Sequence, residues 1–198
     1  VLVACEASGV VREAFRARGH NAWSCDLRPA EDASPFHMER DIFNVLQDQW
    51  WDRWDLLIAH PPCTYLSSSG LHWNARRPGR SVLTNDAVNF CRRLLDADVE
   101  RIALENPIGR LSTAIRKPDQ IIQPWQFGHP ESKATCLWLK GLPKLQPTRI
   151  CVKAPGDRWA NQTPSGQNKL GPSPDRWRLR AKTYSGIAKA MADQWGGA

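Results

Sequence analysis

The sequence predicts an α/β domain: a parallel sheet covered by helices. Three observations lead there. Short apolar, β-rich runs alternate with stretches whose apolar residues recur at helical spacing. A Ser8-Gly9 turn follows the first run, where a strand would pass into a helix. Acidic or reactive residues recur where runs end, at Glu6, Asp26, Cys63 and Glu105. In such sheets ligands bind outside the carboxyl ends of the strands, so these residues are expected to converge.

Taken in order, Val1 to Cys5 reads as a first strand, with no basic-then-apolar leader pattern. Val10, Val11, Ala14 and Phe15 then mark a helix, with Ser8 as N-cap and Gly19 as its stop. Ala22 to Cys25 is a second short strand running into Asp26, and Asp41 opens a short turn or helix over Ile42–Leu46. Trp54 to Ala59 is a buried strand leading into His60-Pro61-Pro62-Cys63. Residues 64–80 read as loop, with Arg76, Arg77 and Arg80 near its end. Leu83, Ala87, Cys91, Leu94 and Leu95 predict a helix to about Asp96, and Arg101 to Leu104 a strand ending in Glu105-Asn106-Pro107. Further strands are expected around Ile121-Ile122 and Cys136–Leu139. Proline and glycine are dense from Gly141 to Pro174, and Thr183 to Trp195 reads as a last helix.

Length and composition fit that outline. With 198 residues, 41% hydrophobic and 24% charged, the chain suits one globular domain with an ordinary core. No apolar run is long enough to span a bilayer. The six cysteines include no C-x-x-C pair, which argues against a zinc module and a disulfide framework and points to a reducing, cytoplasmic setting. The net charge of +7 is localised. Nine Lys/Arg and two acids lie between Lys144 and Lys182, together with Trp159 and Trp177, while the remainder is balanced. A basic, aromatic-containing stretch suits a polyanion such as nucleic acid, and equally a solubilising face.

The strand ends carry the chemistry. Glu6-Ala7-Ser8-Gly9 with Asp26 suggests an adenosine-containing cofactor, the acid gripping ribose hydroxyls, although Asp26 alone also reads as a solvated turn residue. Cys63 follows a rigid Pro-Pro and precedes a polar, basic loop, where a thiolate nucleophile could be held; a small buried apolar residue is the plainer reading. Cys5, Cys25, Cys91 and Cys136 fall in apolar strands or a helix face and take that plainer reading, while Cys151 has no assignable role. A partly buried Glu105 with a raised pKa would donate a proton to a ring nitrogen; alone it could be a helix-capping acid.

Pro61-Pro62-Cys63 after one strand and Glu105-Asn106-Pro107 after the next resemble the DNA (cytosine-5) methyltransferase family, and the order of the other stretches strengthens the likeness. Val3 to Gly9 resembles its cofactor loop, Asp26 with Leu27 its ribose-acid stretch, and Asp41-Ile42 its adenine contact. Phe127 to Lys133 resembles the aromatic-Gly-x-Pro-Gln-x-Arg stretch, and Thr183 to Ala188 the last glycine-containing helix. The resemblance covers nearly the whole chain and is nearest to short, phage-type members. It implies a Rossmann-like S-adenosylmethionine-dependent methyltransferase sheet with helices on both faces. S-adenosylmethionine would be held by Glu6, Ser8, Gly9, Asp26, Leu27, Asp41, Ile42, Pro61, Tyr184 and Gly186. Catalysis would fall to Cys63 and Glu105, with Lys133 near the flipped base, and no metal is implied.

The chain departs from the family in having Cys5 and Ala7 in the cofactor loop, and Glu131, Lys133 and Thr135 in the late motif. A separate target-recognition domain is missing. The basic, Pro/Gly-rich stretch 142–176 stands in its place within a single 1–198 catalytic domain. Arg76, Arg77, Arg80, Lys169, Arg176 and Arg178 are then expected to hold DNA backbone with little sequence reading, as a solvated basic turn would also look. The expected partner is DNA, duplex with a flipped base or single-stranded, bound by a monomer in a bacterial or phage-infected cell. The same chemistry on nucleotides or RNA, another sulfonium-borne group, or an inactive DNA-binding relative are the alternatives.

Overall fold

The computed structural model describes residues 1–48 and 53–197. The strands are β1 (Leu2–Ala4), β2 (Trp23–Asp26), β3 (His37–Glu39), β4 (Leu56–Ala59), β5 (Arg101–Pro107), β6 (Gln120–Ile122) and β7 (Thr135–Lys140). They form one seven-stranded sheet in the order β3-β2-β1-β4-β5-β7-β6. The pairs from β3 to β5 are parallel, and β7 runs antiparallel to both β5 and β6. The expected α/β class is observed, with an antiparallel β7 added to it.

The helices are α1 (Val10–Arg16), α2 (Ile42–Gln47), α3 (Ser68–Leu71), α4 (Arg80–Leu95), α5 (Leu111–Ala114), α6 (Arg176–Ala181) and α7 (Ser185–Trp195). One face of the sheet packs Val88, Cys91 and Leu94 of α4 and Ile42 and Val45 of α2 against Leu57, Ala59, Ile102 and Leu104. The other packs Val11 and Phe15 of α1 and Ile187, Met191 and Trp195 of α7 against Val3, Leu56, Ile58 and Ala103. Successive strand residues point to opposite faces, and strands buried on both sides read as continuous apolar runs rather than alternating ones. Leu56-Leu57-Ile58-Ala59 is such a run, fully buried.

Several local expectations need correction. The N-cap of α1 is Gly9, at φ 71°, and not Ser8. The free N–H groups of Val11 and Arg12 are taken by the Glu6 carboxylate, at 2.7 and 3.2 Å. A Cβ at Gly9 would collide with the Arg12 guanidinium and the Asp32 carboxylate, so only glycine fits the turn. Residues 64–80 are not plain loop, since α3 and a tighter helical turn at His72–Ala75 lie within them and Arg80 already belongs to α4. The sequence pattern predicts neither the strand β3 nor the helices α5 and α6.

The sheet order reverses between β1, whose connection leads outward to β2, and β4, on its other side. That switch point opens a crevice above the carboxyl ends of the strands. Next to it, β4 pairs with β5 only as far as Ala59 opposite Leu104, whereas β5 continues through Glu105, Asn106 and Pro107 against β7. Glu105 therefore does not close its strand. It lies on the part of β5 that overhangs the turn after β4.

Candidate active site

The turn after β4 presents Cys63. Of the six cysteines, Cys25, Cys91 and Cys136 are buried, Cys5 and Cys151 are half-buried, and Cys63 is exposed. Burial pushes the Cys25 and Cys91 thiols up to about 11 and about 12, which suits inert core residues. The Cys63 carbonyl accepts from the N–H groups of Leu66 and Ser67, both at 3.0 Å, closing a tight turn. Asn106 anchors its other side, donating from Nδ2 to the buried Pro61 carbonyl at 2.9 Å. Arg80 braces the far side, donating from Nη2 to the Thr64 carbonyl at 3.1 Å, with its guanidinium 4.8 Å over the Tyr65 ring. Arg80 Nη2 is thus engaged in bracing the loop.

Glu105 faces a residue that the sequence reading passed over. His60 Nδ1 lies 3.3 Å from Glu105 Oε2, with the two side chains 12% and 10% exposed. Burial alone would raise the Glu105 carboxyl, but His60 and Lys133 outweigh it and hold the group below its usual range. The expected raised pKa is therefore overturned, and the group is a carboxylate within a charged cluster. Lys133 joins the site: its ammonium is within electrostatic reach of Glu105 and Cys63, although burial draws it below its ordinary range. Its Nζ also donates to the Arg180 and Lys182 carbonyls, at 2.7 and 3.3 Å. The end of the basic stretch is thereby tied to the site.

A cavity at the switch point is lined by Cys5, Glu6, Ala7, Ser8, Arg28, Glu31, His60, Arg178, Ala181, Lys182 and Thr183. Its volume is about 30 Å³, enough for one or two waters and far below the about 300–1,000 Å³ of ligand pockets. Cys5 turns into it at φ 59°, an uncommon conformation for a non-glycine residue. The roof is the end of α6 and the chain after it. Lys182 Nζ bridges to Glu31 Oε2 at 2.6 Å, and the Arg28 guanidinium lies 4.6 Å over the Trp177 ring.

The remaining expected cofactor residues divide. Glu6 and Ser8 line the cavity, with Ser8 Oγ donating to Glu6 at 3.3 Å, and Gly9 shapes the turn beside them. Asp26 ends β2 but its carboxylate is gripped by Arg28 Nε and Nη2, at 3.0 and 3.2 Å. Leu27 beside it is 73% exposed. Asp41 caps α2, accepting from the Phe43 N–H at 2.8 Å, and Ile42 is buried below it. Pro61 is held by Asn106 away from the cavity walls. Tyr184 and Gly186 do not line the cavity either. The Tyr184 hydroxyl donates to Glu131, and a Cβ on Gly186 would collide with the Phe127 carbonyl, so its small size serves helix contact. Thr183 and Lys182 supply the C-terminal wall instead.

The expected backbone contacts also divide. Arg76 and Arg77 are exposed and flank Trp73, at 5.9 and 4.5 Å from its ring. Lys169 is exposed and Arg176 half-buried. Arg178 lines the cavity and pairs with Asp175 at 3.5 Å, so it belongs to the roof. The stretch 142–176 has no strand and only the first residue of α6, yet it is anchored. Leu145 is buried and exchanges two bonds with Gln120, Trp159 stacks on Trp125 at 5.7 Å, and Asn161 exchanges bonds with Ser132. No helix among the described residues is long and apolar enough to cross a membrane.

No family model matches the chain, and no curated protein matches it. Among solved structures it is similar to a DNA modification methyltransferase encoded within a prophage of E. coli, at 16% identity and a TM-score of 0.47, covering 76% of this chain and 51% of that one. It is also similar to the S. pombe Dnmt2 methyltransferase, at 18% identity and a TM-score of 0.42, covering 78% and 50%. The chain thus spans about half the length of these two solved structures.

Proposed function

We propose that this chain transfers a methyl group from S-adenosylmethionine to C5 of cytosine in DNA, through a covalent bond between Cys63 and C6, with low sequence specificity. One observation carries the reading. Cys63, the exposed cysteine on a Pro-Pro turn, is held beside the overhanging end of β5 that carries Glu105 by the Asn106 bond to the Pro61 carbonyl, and the Lys133 ammonium is within electrostatic reach of both. A nucleophile and an acid–base group beside one cation are what addition to an electron-poor ring requires.

The cavity suits the cofactor in chemistry. It sits at the switch point, Glu6 and Glu31 offer negative charge to a sulfonium and an ammonium, and Asp26 stands at the β2 end for ribose hydroxyls. Binding it would require the Lys182 and Arg178 side chains to leave the cavity and Arg28 to part from Asp26. When bound, S-adenosylmethionine supplies an electrophilic methyl group. Cys63 adds to C6, Glu105 holds the proton shared with N3, and the ring becomes nucleophilic at C5. Loss of the C5 proton then releases Cys63. C6 is out of reach inside a duplex, so the base is flipped or single-stranded. Arg76, Arg77, Lys169 and Arg176 hold backbone, contacts that give affinity without sequence information.

The test is nucleoside analysis by chromatography and mass spectrometry after incubation with S-adenosylmethionine and duplex or single-stranded DNA. New 5-methylcytosine that is lost with Cys63→Ala supports the reading. Turnover that survives the substitution ends it, and a C5 adduct of another mass changes the donor while keeping the nucleophile.

A further inference from the structure

His60 is a buried titratable group beside the site to which the reaction above gives no task. It directly follows β4, level with Glu105 across the β4–β5 pair, because Ala59 stands opposite Leu104. Its Nδ1 faces Glu105 Oε2 at 3.3 Å, while its body lines the cavity with Glu6. His60 Nε2 and Asn106 Oδ1 are both buried without a hydrogen-bond partner among the described residues. Buried polar atoms are rarely left so, and two of them beside the Glu105 carboxylate point to a polar group that binds there.

The charges facing His60 are Glu105 from β5, Glu6 from the turn after β1, and Lys133 from the segment before β7. Burial disfavours the imidazolium, but Glu105, with Glu6 behind it, outweighs burial and Lys133, so the ring is held above its ordinary range. Glu105 is correspondingly held below its own. Both shifts favour placing the proton of the pair on the imidazole.

We propose that His60 is a positioning residue that stores the proton Glu105 delivers to the base. This rests on the cytosine reading above. As the bond from Cys63 sulfur to C6 forms, the C5–C6 π pair moves to C4–C5 and the C4–N3 pair moves to N3. N3 takes a proton from Glu105, which takes one from His60 Nδ1, leaving the imidazole neutral and Glu105 again a carboxylate. After transfer at C5, the N3 proton returns through Glu105 to His60. Water takes the C5 proton, and the C5–H electron pair restores the C5–C6 double bond and expels Cys63 as a thiolate. The pair begins and ends each cycle with one proton.

Two measurements on the full chain test this. In an NMR titration of ¹⁵N-labelled histidine, with His60→Gln used for assignment, the wild-type His60 ring remains charged above the ordinary value of about 6.5 and loses that elevation in Glu105→Gln. A ring that titrates at or below the ordinary value, or ignores Glu105→Gln, overturns the proposal, and the wild-type titration needs no folded variant. In single-turnover methylation across pH, His60→Gln moves the alkaline limb of the rate to lower pH. It slows the enzyme about tenfold or more at pH 8, partly recovered on acidification, with the KM for DNA unchanged. A rate loss equal at every pH makes His60 merely structural and overturns it. If the wild type forms no modified base, the cytosine reading fails instead, and the titration decides the proton-holding pair by itself.

Discussion

Asn106 Nδ2 donates to the Pro61 carbonyl at 2.9 Å, so the overhanging end of β5 holds the turn that carries Cys63. Both groups are buried. Asn106→Ala strips the carbonyl of its donor, and the expected loss of stability is about 1–3 kcal/mol by urea unfolding. Turnover falls further than that loss alone implies, because the nucleophile's turn is released, while affinity for S-adenosylmethionine is unchanged. Full turnover in a destabilised variant would show that the bond serves folding alone.

The arginines near Cys63 separate by salt dependence. Arg76→Gln and Arg77→Gln each lower the slope of log binding against log salt by about one, the signature of a lost phosphate contact. Arg80→Gln leaves the slope in place and reduces turnover, since Arg80 holds the Thr64 carbonyl and covers Tyr65. Fluorescence anisotropy with labelled DNA over a salt series distinguishes the two classes.

A buried cation ties α1 to the segment after β2. Arg12 is fully buried; it donates from Nη1 to Ser24 Oγ at 2.7 Å and pairs with Asp32 and Glu13. Ser24 in turn meets His37 Nδ1 at 2.8 Å. Breaking a buried pair costs about 3–5 kcal/mol, and Arg12→Met is expected at the lower end because Asp32 is 37% exposed and regains water. Denaturant unfolding reads this directly.

The roof of the cavity is latched by Lys182 on Glu31 at 2.6 Å. If the cofactor binds beneath it, Lys182→Ala accelerates association of S-adenosylmethionine several-fold in stopped-flow tryptophan fluorescence, with Trp177 as the reporter at the roof. An unchanged association rate would place the cofactor's path elsewhere.

Much of this architecture was legible because the strands other than β3 are built on short apolar or β-branched runs, and because α1, α4 and α7 bury one stripe at helical spacing. The strand β3 was not, since His37-Met38-Glu39 carries one apolar residue and pairs only at the sheet edge. Nor was α6, whose Arg176-Trp177-Arg178-Leu179-Arg180 has no buried residue to set a period. At the site, Cys63 and Glu105 are legible from their places just past the apolar runs Leu56–Ala59 and Ile102–Leu104. The low pKa of Glu105 was hidden because its cause is tertiary: His60 is 45 residues away in sequence and reaches it only through the β4–β5 pairing. The one available signal for His60 was its place directly before Pro61-Pro62-Cys63. Tyr184 and Gly186, expected from a motif to touch the cofactor, lie outside the cavity, whose C-terminal wall is Lys182 and Thr183.

The central claim is a covalent bond between Cys63 and cytosine C6, and trapping it is the most direct measurement. DNA carrying 5-fluorocytosine cannot lose its C5 substituent, so after transfer the adduct has no way to eliminate. The account predicts a denaturation-resistant protein–DNA complex that requires S-adenosylmethionine, maps by peptide mass spectrometry to Cys63, and is abolished by Cys63→Ala. An adduct on another cysteine, or methylation of ordinary cytosine with no trapped complex on the fluorinated base, would contradict it.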